Sequence, residues 1–127
     1  MKPIYLLGLT TLLISQTALS QAEAYPISAT PRIRYLAKKV SAQDLVNRAI
    51  ARAQSSDNQG AIADLTAAIE MDKNLAVAYH YRGIVRVAMG DKPGAIADFQ
   101  SAALLFQKQG KMNDYQISVN AIAYLQR

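Results

Sequence analysis

The sequence predicts an all-α fold, a helical solenoid of two similar helix-turn-helix repeats and a C-terminal capping helix. Residues 60–65 recur at 94–99 and differ only in the last position. Within each copy, apolar residues recur at the three- and four-residue spacing of amphipathic helices. A single further segment with this spacing follows Gly110. Because repeats of this kind bury their apolar faces against each other, we expect five helices that share one hydrophobic core.

The first repeat begins at Ser41, a good N-cap residue that has Asp44 close to the free amides of the first turn. Its first helix is predicted to end near Ser55. The turn and the cap of the second helix are then formed by residues 56–58, Ser-Asp-Asn. The apolar positions at helical spacing are Leu45, Ala49, Ile50 and Ala53 in the first helix, and Ala61, Ile62, Leu65, Ala68 and Ile69 form the apolar stripe of the second.

The second repeat carries clearer signals at its turn. Gly90 suits a left-handed C-terminal cap, Asp91 suits the next N-cap, and Pro93 falls in the first turn, where a missing amide is harmless. The apolar spacing of the first helix is marked by Tyr79, Gly83, Ile84 and Val87, and the predicted buried face of the second helix consists of Ala95, Ile96, Phe99, Ala102 and Ala103.

The last predicted helix has no partner helix after it. Its apolar stripe consists of Tyr115, Val119, Ile122 and Leu125, and polar residues such as Asp114 surround this stripe. A terminal helix with a polar outer side is typical of the unit that caps a solenoid.

This pattern resembles the tetratricopeptide repeat family. The resemblance covers residues 42–109, and the interval between the two copies matches the family's period of about 34 residues. The matching residues are Tyr79, Gly83, Gly90, Ala95, Phe99 and Ala102 in the second copy and Ala61, Leu65 and Ala68 in the first. The first copy departs from the family where Leu45, Ala49 and Ser56 replace an aromatic residue and two glycines, and where Lys73 replaces proline.

The resemblance implies a binding surface. In this family the first helices of successive units line a groove that holds an extended peptide or a partner's helix. The residues at the matching positions are Gln43, Val46, Asn47, Ile50, Val77, His80, Tyr81, Ile84, Lys111, Asp114 and Ser118. For Ile50 and Ile84, simple packing against neighbouring helices is the other interpretation. Because Val46, Ile50 and Tyr81 stand where the family's carboxylate clamp needs Lys or Asn, we do not expect binding of a C-terminal carboxylate.

Each copy carries two arginines one turn apart on its first helix, Arg48 and Arg52 or Arg82 and Arg86, and one acid on its second helix. Arg48 and Arg82 occupy corresponding positions of the two copies, as do Asp64 and Asp98. We expect Arg48 to pair with Asp64, and Arg82 with Asp98, across each helix pair. If these groups are out of hydrogen-bond reach, a site for an anionic ligand is the alternative.

Residues 1–24 are predicted to be a signal peptide, which places the mature protein outside the cytoplasm. Lys2 supplies a positive charge, residues 4–14 form an apolar run, and residues 22–24 offer small residues at cleavage spacing. Cleavage after Ser20 is an alternative to cleavage after Ala24. The apolar run is shorter than the roughly 20 residues that an uncleaved membrane anchor needs, so we expect no membrane span after cleavage.

The net charge of +5 is concentrated in one short segment. Residues 25–40 contain four Lys or Arg residues and no acid, whereas residues 41–127 contain nine Lys or Arg and eight Asp or Glu, a net charge of +1. We interpret 25–40 as a solvated basic linker, with a docking arm for an acidic partner or membrane surface as the alternative. A nearly neutral repeat domain at 41–127 does not favour a nucleic-acid partner.

The sequence offers no recognisable catalytic apparatus. It contains no cysteine, no glycine-rich phosphate loop, no Gly-x-Ser-x-Gly motif and no paired-histidine metal motif. His80 is the single histidine, and a surface or hydrogen-bonded role suits it better than a metal or catalytic one. We therefore expect a non-enzymatic protein-interaction module without metal or cofactor. Because two repeats and a cap fall short of the usual three repeats, a protein that self-associates through its repeat ends is the alternative.

Overall fold

Five α-helices follow one another in the computed structural model, which describes residues 39–127. None of these residues forms a strand, and the predicted all-α fold is confirmed. Each helix packs on its neighbours in the chain, and α1 also contacts α3. The helices are α1 Ala42–Gln54, α2 Asn58–Met71, α3 Ala76–Ala88, α4 Lys92–Lys108 and α5 Met112–Leu125.

Short polar side chains fix where the helices begin. Ser41 and Asp44 form a reciprocal capping box, in which the Asp44 amide donates to Ser41 Oγ at 3.1 Å and the Ser41 amide donates to Asp44 Oδ2 at 3.0 Å. Asp57 and Asp91 cap α2 and α4, and each accepts a hydrogen bond from the amide three residues later, at 3.0 Å. The predicted starts of α1, α2 and α4 are therefore confirmed.

Three turns share one backbone geometry. Ser56, Gly90 and Gly110 have φ angles of 64°, 81° and 72°, and the amide of the following residue donates to the carbonyl five positions back, at 2.8–2.9 Å. Gly90 thus has the left-handed conformation predicted for it. Ser56 adopts the same conformation, although it carries a side chain that this region disfavours.

The hydrophobic core joins the two helix pairs. Leu45, Ala49 and Leu65 from the first pair share a buried cluster with Ala78 and Val85 from α3. The two repeats therefore lie side by side on one apolar core, as predicted. A second cluster, consisting of Ala76, Ala102 and Phe106, continues the core between α3 and α4.

The period of the repeat does not extend to α5. The first residues of α1 and α3 are separated by the same interval as those of α2 and α4. If α5 followed α3 by that interval, it would begin two positions earlier than it does. The difference arises because α4 has 17 residues where α2 has 14, and the connection that follows α4 is one residue shorter. Positions on α5 that are inferred from the period are consequently out of register.

The predicted signal peptide, 1–24, and residues 25–38 of the predicted linker lie outside the described residues. Within 39–127, no helix combines the length and apolar character needed to cross a membrane.

Candidate functional site

The helix α3 lies between α1 and α5, and these three helices form a surface that we call the first-helix face. A cleft of about 240 Å³ lies between α1 and α3 on this face. Its walls are almost entirely apolar, and we call it the α1/α3 cleft. The cleft is lined by Ala49, Ile50, Ala53, Gln54, Leu65, Tyr81, Ile84 and Val85.

Two further clefts lie between α3 and α5. The first, here the His80 cleft, has a volume of about 260 Å³ and is lined by Val77, His80, Tyr81, Phe106, Asp114 and Ile117. The second, here the Tyr124 cleft, has a volume of about 210 Å³ and is lined by Ile84, Val87, Phe99, Ala121, Tyr124 and Leu125. Tyr81 and Ile84 each line the α1/α3 cleft as well, so the three clefts adjoin one another.

Large apolar side chains on this face are open to solvent. Ile84, Val87, Ile117 and Tyr124 are 45%, 41%, 55% and 71% exposed. Asp114, in the His80 cleft, is the one carboxylate or permanently charged side chain among the residues that line these three clefts. Among residues 39–127, no group of three His, Asp or Glu side chains is placed to hold a metal ion. The lining of the three clefts offers mainly apolar contact surface.

The structure brings together most of the residues predicted to line the groove. Val77, His80, Tyr81 and Asp114 share the His80 cleft, whereas Ile50, Tyr81 and Ile84 share the α1/α3 cleft. Gln43 and Asn47 are exposed on α1 and hydrogen-bonded to each other at 3.2 Å, and Lys111 is exposed at the start of α5. These last three residues line none of the three clefts.

Two predicted groove residues, Val46 and Ser118, are corrected by the structure. Both are 0% exposed, so neither can contact a partner. Val46 belongs to the buried cluster that α1 and α2 share with α3. Ser118 is buried because α5 is shifted in register, and the exposed Ile117 lines the cleft instead.

The residues that α5 adds to this face were not predicted from the sequence. Ile117 and Tyr124 are apolar and exposed, and both lie on the side of α5 that lines the clefts with α3. Their spacing of seven residues, two helical turns, is the signal that places them on one side of the helix. The predicted polar outer side of α5 is consequently incomplete.

His80 is hydrogen-bonded, as expected from the sequence. Its Nδ1 atom lies 3.0 Å from Ser118 Oγ, and its ring packs edge-on against Phe99 with centroids 5.3 Å apart. Burial lowers the pKa of the imidazole below its ordinary value, and the nearby carboxylate of Asp114 acts in the opposite direction.

Both predicted arginine–aspartate pairs are confirmed. Arg48 donates to Asp64 through Nε at 2.8 Å and Nη2 at 2.6 Å. Arg82 donates to Asp98 through the same two atoms at 3.0 and 2.8 Å. The hydrogen bonds from Arg48 lower the pKa of the Asp64 carboxyl, although its burial opposes this shift. Because the guanidinium groups are engaged by these carboxylates, they have a structural role and are not an open anion site.

A second arginine strengthens each pair. Arg86 donates from Nη1 to Asp98 Oδ2 at 2.8 Å and to the carbonyl of Gly94 at 3.3 Å. Arg52 makes the corresponding contacts in the first repeat, at 3.3 Å to Asp64 and 3.2 Å to the carbonyl of Gly60. These contacts fix the position of each second helix against its first helix, which in turn supports the first-helix face.

Comparisons with known proteins add little to this geometry. No protein-family model matches the chain, and no curated protein matches it. Among solved structures, the chain is similar to a crystal structure of MamA, with 20% sequence identity and a TM-score of 0.49. The similarity covers 68% of this chain and 59% of MamA, so the chain spans less than two thirds of that protein. The matching helix pairs within the chain itself define its class, an all-α helical repeat.

Proposed function

We propose that this protein is a non-enzymatic interaction module that binds the apolar side of a partner's helix or extended peptide on its first-helix face. The observation that carries the proposal is the row of exposed apolar side chains along adjoining clefts, formed by Ile84, Val87, Ile117 and Tyr124. Exposed apolar surface of this kind is typical of a protein-binding site. Tyr124 and Tyr81 add aromatic rings, which are enriched among the residues that dominate binding energy.

The absence of charge along most of the face supports an apolar partner. Asp114 is exposed at one end of the His80 cleft, and the other lining residues of the three clefts contribute apolar or uncharged polar surface. A nucleic acid or a strongly acidic peptide needs a basic surface. No Lys or Arg lines these three clefts, although Lys92 and Arg127 line an adjoining pocket beside Val87 and Tyr124. The predicted signal peptide, 1–24, supports action outside the cytoplasm as a further part of the proposal.

A matched pair of variants tests the proposal. Ile117 on the first-helix face and Leu104 on α4 are 55% and 52% exposed, and Leu104 lines none of the three clefts. We expect Ile117→Asp to abolish capture of native partners by the protein, because it places a charge in an apolar contact. Leu104→Asp is expected to leave capture unchanged. Equal capture by both variants would contradict the proposal.

Self-association is a second candidate, favoured by one feature of the last helix. Met112, Ile117 and Tyr124 leave α5 with three exposed large apolar side chains. Two copies could cover these side chains by packing their α5 helices together. Sedimentation over a dilution series distinguishes the candidates, since a folded monomer at nanomolar concentration excludes obligate self-association.

A further inference from the structure

His80 connects the last helix to the preceding helix pair. Its ring, carried by α3, lies 5.3 Å from the Phe99 ring and 6.2 Å from the Phe106 ring of α4, measured between centroids. On the other side, Nδ1 lies 3.0 Å from the Oγ atom of Ser118, which is fully buried in α5. A single half-buried imidazole thus contacts α4 and α5 at the same time.

The first repeat shows that this position does not require an ionisable group. Val46 is the residue of the first repeat that corresponds to His80, and it is fully buried in the shared core of α1, α2 and α3. An apolar side chain is therefore sufficient for a first helix at this position. The imidazole of His80 adds a group that changes its charge near neutral pH.

We infer that protonation of His80 loosens the attachment of α5 to α3 and α4, so that the C-terminal helix is held less tightly in mildly acidic solution. Protonation places a positive charge beside two phenyl rings in a half-buried site, where the charge loses part of its hydration. It also prevents Nδ1 from accepting a hydrogen bond from Ser118, leaving only the arrangement in which the imidazolium donates. The inference concerns the stability of α5 and does not depend on the proposed binding function.

The groups around the ring decide the direction of the effect. On α5, the carboxylate of Asp114 faces the same cleft and favours the protonated ring, and Ser118 is the hydrogen-bond partner. On α4, the facing groups are the phenyl rings of Phe99 and Phe106, and on α3 the neighbouring aromatic group is Tyr81. Burial outweighs Asp114, and the pKa of His80 is lowered from its ordinary value of 6.5.

This shift sets the pH range in which α5 responds. Because the unfolded chain binds the proton more readily than the folded chain, the stabilisation is complete above the ordinary pKa of 6.5. It declines as the pH falls from there through the lower pKa of the folded state. Protonation of Asp64, whose pKa is lowered from 3.8, takes place at more acidic pH and can therefore be distinguished from protonation of His80.

An NMR titration of the full chain tests the inference. Since the sequence contains one histidine, its ring signal is unambiguous, and we expect a midpoint below 6.5. Amide hydrogen exchange, corrected for the intrinsic pH dependence, is then compared between α5 and α1 from about pH 7.5 to about pH 5. Protection in α5 is expected to fall relative to α1, by about tenfold for each unit by which the pKa is lowered.

Two variants make the test specific. His80→Gln keeps a neutral polar side chain, and we expect it to abolish the pH dependence of α5 protection. Asp114→Asn removes the compensating charge from an exposed position, and we expect it to lower the midpoint of His80 and to steepen the loss of protection. A midpoint at or above 6.5 would overturn the inference. So would an unchanged pH dependence in His80→Gln or, should that variant not fold, no steepening in Asp114→Asn.

Discussion

The carboxylate of Asp98 accepts two hydrogen bonds from the guanidinium group of Arg82, from Nε at 3.0 Å and from Nη2 at 2.8 Å. Both side chains are largely buried, at 4% and 14% exposure. Arg82 also donates to Thr66 Oγ1 on α2 at 3.3 Å, so this pair connects the two repeats as well as α3 and α4. The same pairing occurs at the corresponding positions of the first repeat, between Arg48 and Asp64, where the arginine side chain is 54% exposed.

Loss of Asp98 is expected to destabilise the protein more than loss of Asp64. Asp98→Ala leaves Arg82 without its carboxylate in a largely buried position, whereas Arg86 keeps Asp91 at 3.6 Å. The unpaired buried charge of Arg82 costs about 3 kcal/mol of unfolding free energy. Asp64→Ala makes the same substitution where Arg48 is half exposed and can regain water, so the loss is smaller. Urea unfolding of both variants measures the difference. Equal losses would show that burial of the arginines does not govern the stability of these pairs.

Ser56→Gly is expected to stabilise the protein by about 0.5–1 kcal/mol. Ser56 has a φ angle of 64°, which a residue with a Cβ atom adopts only with strain, and Gly90 occupies the corresponding turn of the second repeat with a φ of 81°. Gly90→Ala is the reciprocal control and should destabilise by a similar amount. Thermal unfolding measures both changes, and a lower melting temperature for Ser56→Gly would contradict the strain argument.

Gly83→Val is expected to cost about 1–3 kcal/mol of stability through overpacking. A Cβ atom at Gly83 would lie 3.0 Å from Cε1 of Phe99, and valine adds two further methyl groups in this confined space. Gly110, an exposed glycine in the turn between α4 and α5, has no atom within 4 Å of such a Cβ, although its positive φ penalises substitution there for another reason. Chemical denaturation checks the prediction, and an unchanged midpoint would show that Phe99 moves aside freely.

Acid destabilisation is expected to depend on Asp64. Because the hydrogen bonds from Arg48 lower the pKa of Asp64 below 3.8 in the folded state, the unfolded chain takes up this proton first as the pH falls. The stabilisation is complete above pH 3.8 and is lost as the pH drops through the lower, folded-state pKa. Asp64→Asn should therefore flatten the pH dependence of unfolding in this acidic range. A slope that matches the parent protein would disprove this role of Asp64.

The repeated part of the fold could be predicted from sequence because local signals and the period agree. Ser41, Asp57 and Asp91 are N-caps, Gly90 has a positive φ, and the period places Arg82 and Asp98 on facing helices. Each of these features depends on a few residues that lie close together in the chain. Local spacing is sufficient to determine them.

The site was harder to predict because it depends on how α5 sits against α3. The period places Ser118 in register with the exposed Ile84, but the longer α4 shifts α5 and buries Ser118. The apolar residues Tyr115, Ile122 and Leu125 lie at helical spacing from Ser118 and already indicated its burial. Val46 was misplaced for another reason, since packing of α3 on α1 and α2 covers a position that spacing alone leaves open.

Site-specific crosslinking tests the central claim most directly, namely that partners bind on the first-helix face. A photoreactive side chain is introduced at Tyr124 or at Leu104, positions that are 71% and 52% exposed on α5 and α4. In cells that make the protein natively, we predict crosslinks to the same partner from position 124 and none to that partner from position 104. Crosslinks from position 104 alone, or equal crosslinks from both positions, would contradict the account.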